Sequence, residues 1–171
     1  MKGGYGSSPL EIMACEAMIR GEIYCQLFVY SAVFASATAL GATSTVDVPV
    51  PINADSDFIM QELNLTSFTA ADTPEVDPDY LIQLTVAGSG RQLMDRAQTV
   101  QNLCGSFLIN KAGGNQLPFP VLIQANNTLT VSLTNRSNVA ANRVDVSLIG
   151  FKVYYIGEPE TANRRAIFHV L

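Results

Sequence analysis

The amino-acid sequence predicts an antiparallel β-sandwich, and three observations carry that reading. Short segments alternating apolar and polar residues recur along the chain, clearest in TLTVSLT and RVDVSLI. Such alternation gives a strand one face to bury and one to leave in water. Gly, Pro and Asn, the residues that supply turn backbone, punctuate these segments. The composition is 48% hydrophobic but only 15% charged, against roughly 25% charged in an ordinary domain. Its 171 residues suit one domain with a sizeable core.

The same figures exclude classes. The apolar fraction is too high and Glu, Lys and Arg too scarce for a disordered, collagen-like or coiled-coil chain. A net charge of −5 and a pI near 4.7 argue against a protein that coats nucleic acid. Ser, Thr and Asn, at 12, 12 and 11 residues, supply an uncharged polar surface that suits packing against other protein. Residues 1–90 carry a net −9 and residues 91–171 a net +4. Interleaved strands would pair these charges internally; segregated halves would favour head-to-tail contact.

Taken in order, MKGGYGSS reads as an N-terminal arm, and Ser8-Pro9-Leu10-Glu11 has the order of a capping box. A short helix is expected over about 9–20, with Leu10, Met13, Ala14, Ala17 and Met18 on one face and Gly21 as its stop. Gly3-Gly4-Tyr5-Gly6 and Glu11 stand where a signal peptide needs an apolar run, so no targeting segment is expected. Ile23 to Val46 is uncharged and long enough to span a bilayer. Its Ser, Thr and Gln content and the bounding Glu22 and Asp47 favour a pair of buried strands instead.

STVDVPVPI suggests an edge strand, where proline's missing N–H is tolerated. DFIMQELNLTSFTA alternates imperfectly, with Phe58, Met60, Glu62 and Asn64 set against Ile59, Gln61, Leu63 and Leu65. An acidic loop, DTPEVDPD, precedes DYLIQLTVAG, whose Ile82, Leu84 and Val86 share a face. SFLIN, LPFPVLI, TLTVSLTN and RVDVSLIGFKVYYI follow, separated by loops. Leu129, Val131 and Leu133, and likewise Val144, Val146 and Leu148, form apolar faces. The chain divides into an arm and helix over 1–21, a sandwich over 22–157 and a C-terminal arm over 158–171.

No segment assembles recognisable chemistry. Ala87-Gly88-Ser89-Gly90-Arg91 lacks the Lys-Ser/Thr of a phosphate loop and reads as a β-turn. The single His169 has no orienting acid or nucleophile beside it and reads as a subunit contact. Asp72, Glu75, Asp77 and Asp79 lack the glycine turn and terminal glutamate of a calcium loop, so a solvated loop is favoured. Cys15, Cys25 and Cys104 show no metal or disulfide spacing and are expected to be buried free thiols in a reducing cytosol.

The stretch from Tyr80 to Tyr155 resembles small virion proteins of tailed bacteriophages. The motifs are the GSGR turn with Met94-Asp95-Arg96 after it, Pro118-Phe119-Pro120, the ANNT turn at 125–128, the strand end Leu133-Thr134-Asn135 with Ser137, and Gly150-Phe151-Lys152. The resemblance covers a little under half the chain. It implies a jelly-roll-like sandwich built into a phage particle, without enzymatic activity.

The expectation is therefore an all-β, jelly-roll-like antiparallel sandwich with a short N-terminal helix or arm and a C-terminal extension. Its expected role is a capsid decoration or cement protein that clamps the major capsid protein in the virion, assembled in the host cytoplasm. The alternative is a tail, neck or vertex-spike sandwich acting as an adaptor or binding a receptor or sugar. A third class is a small lectin-like or carbohydrate-active protein. Expected partners are the major capsid protein or other virion proteins and further copies of the chain. No nucleic acid, membrane, cofactor, metal or catalytic residue is expected. The apolar C-terminus needs cover, so Arg164, Arg165, Ile167, Phe168 and Leu171, with Tyr5 in the opposite arm, are the expected contact residues.

Overall fold

A computed structural model describes residues 9–35, 39–68, 79–87, 91–100, 103 and 115–156; at 91, 92, 115, 116, 118 and 119 it describes the backbone alone. The elements are α1 (Pro9–Ile19), β1 (Ile23–Phe34), β2 (Thr45–Pro51), β3 (Asp57–Phe68) and β4 (Tyr80–Ala87), then β5 (Arg91–Gln92), β6 (Gln98–Thr99), β7 (Asn115–Ile123), β8 (Thr128–Asn135) and β9 (Arg143–Tyr155). The first sheet runs β1-β9-β3-β7 and the second β2-β8-β4-β5, with β6 also on β4. All pairings are antiparallel.

β5 and β6 pair with opposite ends of β4, so they act as one interrupted edge strand. Counted so, the described residues form eight strands, and the first pairs the eighth, the second the seventh, the third the sixth and the fourth the fifth. That is a long hairpin wrapped into two sheets, the jelly roll. The wrapping sets first-half strands against second-half ones, and two ion pairs follow suit: Arg136 to Asp79 at 3.6 Å and Lys152 to Asp55 at 3.7 Å. The charge halves thus intermingle.

The expected inward residues of β4, β8 and β9 are all buried between the sheets. Each such Leu, Ile or Val contributes about 1.5–3 kcal/mol by leaving water, more than an exposed ion pair such as Arg20–Glu22 supplies. β3 corrects the expected alternation. Its register shifts between Met60 and Glu62, so a bulge at Gln61 reverses the parity: Phe58 and Met60 face inward, then Leu63 and Leu65. Gly150 accommodates the bulge. A Cβ there would stand 2.0 Å from the carbonyl oxygen of Ile59.

α1 matches the expected helix and ends as expected at Gly21, whose φ is +71°. Gly21 N donates to Met18 O at 3.0 Å and Glu22 N to Ala17 O at 2.9 Å, the two bonds of a Schellman cap. Leu10, Ala14 and Ala17 pack on Ile23, Ile59 and Val153 of the first sheet's outer face. Met18 does not join them; at the margin of that face, it is exposed. Ser8 lies outside the described residues, and Glu11 Oε1 accepts a bond from Nε2 of the bulge residue Gln61 at 2.8 Å.

Both proline segments fall on edges, β2 bounding the second sheet and β7 the first. The four residues Leu117–Pro120 of β7 have no partner in the β3 register, which jumps from Val121 to Gln116. In the ANNT turn Asn126 takes a positive φ, +61°, which asparagine tolerates better than most residues. Ile23–Val46 is not a pair of buried strands, because β1 and β2 both lie at sheet edges with one face in solvent. No helix among the described residues is long and apolar enough to cross a membrane.

Candidate interaction surface

The two outer faces of the sandwich differ in chemistry. On the second sheet, register places Thr45, Thr134 and Leu81 in one row, Asp47, Ser132 and Gln83 in the next, and Pro49, Thr130 and Thr85 in a third. The Thr45 and Thr134 hydroxyls bond across strands at 2.8 Å. This is the uncharged polar surface that the composition requires, and Asp47 is the one charge in these rows.

The outer face of the first sheet carries an apolar patch next to α1 and turns polar further along, where Ser31, Ser147 and Asn64 share a row and Val33, Asp145 and Thr66 the next. Eleven residues of α1 span about 16 Å, whereas the twelve of β1 span about 40 Å. The helix therefore shelters Ile23 and Cys25 and stops short of the rest. Leu27, 64% exposed, and Val29, 47% exposed, lie beside Phe151 and Ile149 of β9 with nothing above them among the described residues. Ile19 on the helix is 86% exposed. Sequence reading misses this patch because both alternating sets of β1 are apolar. The available signal was a strand with two apolar faces beside a helix too short to cover one.

The charged groups inside the fold are committed to structure. Asp57 is fully buried; its carboxylate accepts the Ala125 N–H at 2.7 Å and the Tyr155 hydroxyl at 2.6 Å, tying β3 to the β7–β8 turn and to β9. The Lys152 ammonium lies 4.3 Å from the ring centroid of Phe28 and 5.9 Å from that of Tyr30, a cation–π site. Asn135, also buried, donates to Gly41 O and Val139 O and accepts from Ser137 N, holding two loops at one end of the sandwich. No buried side-chain polar atom among the described residues lacks a partner, and no three His, Cys, Asp or Glu gather there into a metal site.

Cys15 and Cys25 are free thiols but not the buried ones expected: Cys15 sits on the solvent side of α1 and is exposed, and Cys25 is half-buried beneath the helix. Burial pushes the Cys25 thiol up from its ordinary pKa, which lowers its reactive thiolate at neutral pH. Iodoacetamide should label Cys15 ahead of Cys25, read by peptide mass spectrometry. Equal rates would mean that α1 does not shield β1.

Of the expected site residues, Tyr5, Arg164, Arg165, Ile167, Phe168 and Leu171 lie outside the described residues, as do His169, Cys104, Asp72, Glu75 and Asp77. Asp79 is described, in its pair with Arg136. No protein-family model and no curated protein matches the chain.

Proposed function

We propose that the chain is a non-enzymatic structural protein of a bacteriophage virion, a decoration protein that binds and stabilises the shell of major capsid protein. The observation that carries this reading is the apolar surface left open on α1 and the first sheet, on a sandwich whose buried polar groups serve the fold. The phage-like motifs between Tyr80 and Tyr155 support it. Binding energy, not chemistry, is the mechanism.

Magnitudes bear on how the contact is made. Leu27, Val29 and Ile19 would each contribute about 1.5–3 kcal/mol if fully covered, while association costs about 4–15 kcal/mol. The open face alone leaves little surplus, so the terminal arms, with Arg164, Arg165, Ile167, Phe168 and Leu171 in one and Tyr5 in the other, act as second contacts at high effective concentration.

The test is to add purified chain to phage shells that lack it and count copies per shell. Saturable binding at a fixed, high ratio to the capsid subunit is expected. Deleting residues 158–171 should abolish binding and leave the circular dichroism of a folded sandwich. No binding by the full chain would sink the proposal. The hydroxyl face of the second sheet favours the alternative of a tail, neck or vertex module that binds a receptor or glycan; a low copy number per particle with binding on a glycan array would select it.

A further inference from the structure

Leu27 and Val29 lie on the outer face of the first sheet, in rows with Phe151 and Ile149 of β9. Antiparallel partners point their side chains to the same face, so these four make one apolar patch. The ladder extends the second row to Glu62 of β3. Along the margin formed by α1, Met13 packs in one cluster with Cys25 of β1. The exposed Glu16, three residues on, shares that side of the helix. The patch is thus bordered by carboxylates.

The chain leaves β9 close to this patch. Ile156 N donates to Glu22 O at 2.9 Å, so residue 157 starts level with the beginning of β1. Leu27 and Val29 stand five and seven residues along from Glu22, about 17 and 23 Å away. Residues 157–165 can span about 30 Å, enough to carry the apolar run Ala166–Leu171 onto the patch. Arg164 and Arg165 immediately precede that run, so two cations reach the rim where Glu16 and Glu62 stand.

We infer that Ala166–Leu171 docks on the Leu27–Val29 patch of its own chain, with Arg164 and Arg165 set against the carboxylates at its rim. Length and charge together select this occupant. Residues 1–8 offer only Met1 and Tyr5 as large apolar side chains. Residues 69–78 contain Asp72, Glu75 and Asp77 and no base. They also follow Phe68, which pairs Arg143 at the opposite end of the first sheet from Ile23. The contact belongs to the free chain and stands apart from shell binding. Where a shell is bound, it displaces the segment and engages patch and arm together, a consequence that rests on the function proposed above.

Limited trypsin digestion of the full chain, with no shells present, tests the contact. Docking should slow cleavage after Arg164 and Arg165, read by intact mass. Leu27→Asp replaces a 64% exposed side chain, should leave the circular dichroism unchanged, and should speed that cleavage about tenfold. Equal rates in the two proteins overturn the inference. Methyl NOEs on wild type decide independently of any variant. Leu27 and Val29 should show NOEs to the Phe168 ring, at a strength that does not change on dilution. NOEs to Phe107 or Tyr5 instead, NOEs lost on dilution as a second copy would give, or none at all overturn it.

Discussion

Gly150→Ala is expected to destabilise the sandwich by about 3 kcal/mol or more, the upper range for overpacking. A Cβ at Gly150 would lie 2.0 Å from Ile59 O, 2.9 Å from its carbonyl carbon and 3.0 Å from Met60 Cα. All three are backbone atoms, held by the β3–β9 ladder on both sides of the bulge, so no rotamer change relieves the clash. Two other glycines calibrate the result. Gly21→Ala meets nothing within 4 Å but takes an alanine to φ +71°, a strain of about 1 kcal/mol. Gly41→Ala meets only the Ser44 side chain, its Oγ at 3.2 Å, and should cost least. Urea unfolding followed by circular dichroism should rank them in that order; a Gly150→Ala protein as stable as Gly41→Ala would show that the bulge does not press on β9.

That bulge also marks the limit of what the sequence discloses. β8 and the Val144–Leu148 part of β9 are legible because one alternating set is Leu and Val and the other Thr, Ser or Asp, so only one register buries the right face. β3 is not, because an extra residue at Gln61 reverses parity, and its compensation, Gly150, lies almost ninety positions later. β1 has apolar residues in both sets, so its alternation carries no direction. The motifs behind the phage resemblance occupy points of architectural constraint: Asn126 in a left-handed turn, Asn135 between two loops, Gly150 against the bulge. They specify how the chain wraps and say little about what it touches. The apolar patch on β1 emerges only when the length of α1 is compared with the strand it covers.

Phe58→Ala should cost about 3–5 kcal/mol, the range for truncating a buried phenylalanine, and its effect should concentrate on β1. Phe58 is fully buried on β3, its ring 4.9 Å from Tyr30 at 83°, and Tyr30 stands 4.8 Å from Phe28, over which Lys152 sits. Phe28 and Tyr30 belong to β1, which has β9 as its single ladder partner among the described residues. Removing Phe58 takes away the ring that supports Tyr30, whose hydroxyl accepts the Asn53 N–H at 3.2 Å. Amides of β1 should therefore exchange faster before those of β4 and β8, which lie paired within the second sheet. Phe58→Leu keeps most of the volume and should lose roughly half as much stability or less. A protein destabilised by this amount whose β1 amides exchange no earlier than those of β4 and β8 would mean that the inner aromatic row does not set the order of β1.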